Sequence, residues 1–205
     1  MKKFELTNEF IANRFGTKLF RIRALVEFGD VEAGELGGYV EKESNLGHDD
    51  NAWVYGNARV YGDALVYDNA RVYDNAWVYG DAQVSGDALV YDNARVYGNA
   101  RVCGDAQVSG DAWVYGNARV CGDALVCGDA RVCGNGDYAY AHGFGSVNRT
   151  TTFFRLKDGG VGVRCGCFYG TLAQFRDKIR ETHGETKKAQ EYLMLADLMK
   201  LRFEK

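Results

Sequence analysis

The chain of 205 residues carries 25 basic and 28 acidic side chains, a net charge of -3, which excludes the basic excess of a general nucleic-acid-binding surface. With 26 glycines, no proline and a 46% hydrophobic content broken into short pieces, the composition is that of an ordered, β-rich chain and excludes a disordered one. No segment approaches the roughly 18 apolar residues of a membrane span, and the lysines at the start precede no apolar run, so the expected location is the cytoplasm.

In chain order, residues 1–50 read as an N-terminal β cap. Lys18-Leu-Phe-Arg-Ile-Arg-Ala-Leu-Val26 alternates like a strand, and Gly34-Glu-Leu-Gly-Gly-Tyr-Val40 leads toward a repeat. Residues 51–137 form the second region, in which fourteen hexads run without a gap from Asn51-Ala-Trp-Val-Tyr-Gly56 to Asp129-Ala-Arg-Val-Cys-Gly134. Position one is Asn or Asp, two is Ala, four is Val, five is Tyr, Ser or Cys, and six is Gly or Asp. Side chains alternate along a strand, so Ala and Val share an inner face and positions three and five the outer one. Gly or Asp followed by Asn or Asp tolerates the left-handed backbone of a corner, which makes these acids turn formers rather than a catalytic pair. Three strands and three corners close a coil of 18 residues, giving about 4.7 coils and a prism roughly 22 Å tall.

Residues 138–205 form the third region. Arg149–Leu156 and Val161–Phe168 flank the turn-forming Lys157-Asp-Gly-Gly160 and predict a β-hairpin. Thr171-Leu-Ala-Gln174 is a capping box that starts a helix ending before Gly184. A second helix is predicted from about Lys187 to Phe203, with Tyr192, Leu193, Ala196 and Met199 on one face and Leu195, Leu198 and Phe203 widening the stripe. Of the six cysteines, Cys103, Cys121, Cys127 and Cys133 occupy position five, with no zinc-like spacing, and no metal is expected. Stacking by 18 residues brings Cys103 near disulfide range of Cys121, but a reducing compartment predicts free thiols.

The hexads resemble the hexapeptide-repeat left-handed β-helix family, in which a branched aliphatic residue follows a small residue two positions earlier. That resemblance implies left-handed coiling. The chain departs from the family at position five, mostly Tyr where a small residue is usual, so its outer surface is unusual. Across nearly its whole length the chain also resembles proteins encoded in bacteriophages and prophages that are labelled hexapeptide transferases or carry no assigned function. Lys18-Leu-Phe-Arg-Ile-Arg-Ala-Leu25, Gly29-Asp-Val31, Leu36-Gly-Gly-Tyr-Val40, the hexads, Cys167-Phe-Tyr-Gly-Thr-Leu172, Glu181-Thr-His-Gly184 and Glu191-Tyr-Leu193 carry the likeness.

The family implies transfer of acyl groups from coenzyme A or acyl carrier protein, with a histidine as general base between subunits of a trimer. Three histidines are present, none within the hexads, and no insertion interrupts the array to build a site. His142, on a loop leaving the last coil, is the one candidate base. His48 reads as a corner residue and His183 as a favourable charge at a helix C-terminus. A different face stands out. Arg59, Trp77, Arg95, Trp113 and Arg131 stack at position three, beside Tyr61, Tyr79, Tyr97 and Tyr115 at position five. Such residues stack on bases, pair with phosphates and anchor protein interfaces. They also stabilise a prism simply by stacking on one another.

The leading expectation is a non-catalytic, phage-type binding protein without cofactor, suited to counter-defence by occluding a host protein or sequestering a small nucleotide. The alternatives are an acyltransferase using His142 and acyl-coenzyme A, and a structural or virion component that assembles through open coil ends. The stripe on the last helix and the trimeric habit of the family point to a homo-oligomer.

Overall fold

The computed structural model describes residues 2–144 and 148–204. The hexads coil because each one alternates inward and then turns. All fourteen alanines at position two and all fourteen valines at position four, Ala52 to Val132, are fully buried. Position six then bends the chain: every residue there from Gly56 to Gly128 has a positive φ between 57° and 73°, including Asp68, Asp74 and Asp92. A left-handed backbone costs a non-glycine residue about 1–2 kcal/mol, and these aspartates offset it with their side chains. Asp68 accepts the N–H of Gly86 at 3.0 Å, and Asp92 that of Gly110 at 2.9 Å, each on the rung below.

Three parallel sheets form the sides, each pairing strands 18 residues apart. The first side stacks Arg59–Gly62, Trp77–Gly80, Arg95–Gly98, Trp113–Val114 and Arg131–Val132. The second stacks Leu65–Val66, Gln83–Val84, Arg101–Val102 and Arg119–Val120. The third runs from Trp53–Val54 through Arg71, Leu89 and Gln107 to Leu125–Val126. The result is a β-solenoid of about five turns.

The cap at the N-terminal end continues the first side. Strands β1 (Phe4–Ala12), β2 (Lys18–Ala24) and β3 (Leu36–Val40) pair antiparallel, and β3 adds in parallel to Arg59–Gly62. Buried Asn45 donates to the carbonyls of Gly62 and Ala64, and the Lys3 ammonium, 3% exposed, donates to those of Asp50 and Ala52. His48 stacks on Phe4 at 4.4 Å. Trp53, a position-three residue expected outside, is fully buried because Phe4 and Phe28 cover it.

At the other end the expected hairpin exists, but as the middle of a larger element. Tyr138–Phe144, Arg149–Arg155, Val161–Cys165 and Phe168–Thr171 form a four-stranded antiparallel sheet. It closes the last coil, with Thr152 accepting the Leu125 N–H at 2.9 Å and Leu156 bridging Ala130. Helix α1 (Leu172–His183), capped by Thr171 and Gln174, and α2 (Lys187–Phe203) bury Phe175, Ile179, Tyr192, Ala196, Met199 and Phe203 against it. Leu198 departs from the expected stripe and is exposed, as are Met194 and Leu201.

The thiol expectation is overturned. Cys103 and Cys121 form a disulfide, with Cα atoms 4.6 Å apart on adjacent rungs of the second side. Strand register sets this proximity whatever the compartment, and compartment alone had argued for free thiols. Among the described residues no helix is long and apolar enough to cross a membrane.

Candidate binding surface

Backbone register places the nine residues singled out on the first side together. Tryptophan and arginine interleave there. The Arg59 guanidinium lies 5.0 Å from the Trp77 ring centre and that of Arg95 4.9 Å from it, so Trp77 is covered on both sides. Trp113 is held likewise by Arg95 at 5.2 Å and Arg131 at 4.4 Å. The tyrosine column stacks face to face, with centroids 5.0, 4.9 and 5.2 Å apart from Tyr61 to Tyr115 and planes within 8° of parallel. These spacings follow from the strand separation of about 4.8 Å, which is close to ideal ring contact.

The ring faces therefore serve one another. What the surface offers outward is mainly ring edges, phenol hydroxyls and guanidinium N–H groups, because the inner rings of both columns are covered by their neighbours. The hydroxyls are neutral donors: burial pushes the phenols of Tyr61, Tyr79 and Tyr97 upward, against the opposing pull of neighbouring arginines. Arg131 donates to the carbonyls of Asp111 and Ala130. Among the described residues none of the three guanidinium groups has a carboxylate partner, and the Nε of Arg59 is buried without an acceptor.

His142 is in a different setting from the one expected. It lies in the strand Tyr138–Phe144 rather than on a loop, well exposed, with Nδ1 2.9 Å from Thr150 Oγ1 and 3.6 Å from Asp123 Oδ2. The Thr150 hydroxyl holds the ring and the Asp123 carboxylate lies near it, but His142 lines neither the groove on the third side of the solenoid nor the cavity beside the two helices. A groove of about 580 Å³ on the third side, lined by Tyr55, Arg71, Tyr73 and Leu89, was not expected. Asp30 fastens its upper end, accepting from the Tyr55 hydroxyl at 3.0 Å and pairing with Arg71 at 3.3 Å. Among the described residues no group of three or more His, Cys, Asp or Glu is placed to hold a metal ion.

A family model described as YdcK beta solenoid repeat matches residues 52–67, 64–80, 82–96, 90–104, 94–110, 106–122 and 112–128. These stretches are similar to YdcK β-solenoid repeats. The match falls within the coiled hexads and leaves the cap, the C-terminal sheet and both helices outside it. No curated protein matches the chain.

Proposed function

We propose that this chain is a non-catalytic binding protein that recognises its partner through the first side of the solenoid, in the manner of a phage-encoded factor that occludes a host protein. One observation carries the reading: Arg59, Arg95 and Arg131 are held at fixed spacing by tryptophan rings and, among the described residues, pair with no carboxylate. Guanidiniums two rungs apart stand roughly 10 Å from one another, and the intervening tyrosine hydroxyls add donors. A protein surface bearing separated carboxylates suits this pattern, since arginine, tryptophan and tyrosine supply most interface hot spots. Base stacking is disfavoured because the inner rings are covered by their neighbours, so sequestration of a nucleotide would rely mainly on phosphate contacts. The exposed Met194, Leu198 and Leu201 support a homo-oligomer.

The acyltransferase alternative rests on the Asp123–His142 contact, which could orient an imidazole as a base. Melting temperature with acetyl-coenzyme A, and separately with cyclic and ADP-ribose-type nucleotides, discriminates: a ligand at 100 times its Kd stabilises by about 2.7 kcal/mol. The binding reading expects no shift with acetyl-coenzyme A, and capture of a purified host partner that is lost in the Arg59→Gln, Arg95→Gln double variant. A coenzyme A shift that disappears in His142→Ala would replace this reading with the enzyme.

A further inference from the structure

Apart from the solenoid side, a cavity of about 270 Å³ opens between the turn after Val161–Cys165 and the two helices. Its floor is apolar, with Phe175 and Tyr192 buried there. Its mouth is basic: Arg149, Lys178 and His183 line it, and among the described residues no carboxylate does. Lys178 pairs with Glu181 at 2.8 Å, whereas Arg149 and His183 have no ion pair among the described residues. Two further features look built for this arrangement. Gly166, at φ 57°, leaves room for the Arg149 side chain, because a Cβ there would collide with its guanidinium. Two polar groups in the wall, Cys165 and Tyr192, are engaged internally: Thr151 donates to Cys165 Sγ at 3.2 Å, and Tyr192 to the Phe144 carbonyl at 3.4 Å. They do not compete for the charge of a guest.

We propose that this cavity binds a small monoanion with an aromatic or branched apolar body, its charge held by Arg149 and His183 and its body against Phe175 and Tyr192. The volume lies just under the roughly 300–1,000 Å³ of pockets for drug-sized ligands, so the guest is a compact one, about the size of a substituted ring. Anion and apolar body are both required, because the mouth rewards only charge and the floor only buried apolar surface. This site is separate from the arginine–tryptophan ladder and does not depend on its role.

The test is a titration of the full chain followed by amide chemical shifts, with benzoate as probe, benzyl alcohol as the neutral counterpart and acetate as the anion without a ring. The expected result is benzoate binding at least tenfold tighter than either control, with shifts centred on Gly166, Phe168 and the end of α1. Arg149→Gln, at an exposed position that leaves the fold intact, weakens benzoate at least tenfold, while Arg101→Gln on the solenoid's second side changes nothing. Equal binding of benzyl alcohol would reduce the site to an apolar cleft, and equal binding of acetate would reduce it to a charged surface. Either outcome, the absence of benzoate binding, or an unchanged affinity in Arg149→Gln overturns the proposal.

Discussion

The interleaved ladder on the first side makes a prediction that separates real stacking from mere proximity. Trp77→Ala removes two cation–π contacts, at 5.0 and 4.9 Å, each worth about 0.5–1 kcal/mol at a half-exposed site. It also uncovers roughly 100 Å² of half-buried ring, worth about 2.5 kcal/mol at ~25 cal/mol per Å². The expected loss is about 3.5–4.5 kcal/mol. Arg95→Met keeps the apolar stem on its neighbours but loses the charge over both Trp77 and Trp113, for about 1–2 kcal/mol. The pair variant closes a thermodynamic cycle, and the expected coupling between Trp77 and Arg95 is about 1 kcal/mol. Urea unfolding followed by far-ultraviolet circular dichroism reads all four corners of the cycle. A coupling below about 0.3 kcal/mol, inside ordinary additivity scatter, would refute the stacking argument and with it the claim that tryptophan fixes the arginine spacing.

Three other outcomes follow from the structure. Replacing Cys103 and Cys121 by serine should cost about 3 kcal/mol, as expected for a bond closing a loop of this length, and a thiol count on the native, unreduced protein should find four of the six cysteines free. Lys3→Met leaves the Asp50 and Ala52 carbonyls without a donor and the Asp50 carboxylate without its ion pair, so it should lower stability by about 2–3 kcal/mol; a melting temperature close to that of the parent would show that the cap does not depend on it. Burial, reinforced by the Cys165 thiol, pushes the Tyr192 phenol up to about 12. The folded state then holds its proton where the unfolded state has lost it, so this contribution is complete below about pH 10 and fades as pH rises toward the folded value. Urea midpoints from pH 8 to 12 should fall, and less steeply in Tyr192→Phe.

Much of the fold was legible because the hexad is a strict code. Ala and Val at alternating positions fix the inside, and a residue that accepts positive φ at position six fixes the corner, so strands, columns and turn count all follow from spacing. Thr171 with Gln174 announced α1 because capping chemistry is local. What escaped depends on partners distant in sequence. Trp53 is buried by Phe4 and Phe28 from a cap whose docking no repeat position encodes. Tyr138–Phe144 reads as a loop until Arg149–Arg155 pairs with it. The Cys103–Cys121 proximity follows from 18-residue stacking, whereas the redox environment that decides between thiols and disulfide is not encoded in the spacing. Of the candidate site, the two columns were readable, but their mutual coverage depends on rotamers, and the basic cavity joins Arg149 to His183 across a turn and a helix.

The strict three-sided closure also constrains how such a chain can change length. Removing or adding 18 residues deletes or inserts one full coil and keeps the alanine and valine columns and both end closures in phase, whereas the alternation of arginine with tryptophan on the first side survives only a change of two coils, 36 residues. A change of six or twelve residues turns one end by a third or two thirds of a revolution, so Asn45 and Thr152 meet the wrong sides. Reach along the axis is therefore adjustable only in whole coils of about 4.8 Å each, and the number of arginines presented grows by one for every second coil gained.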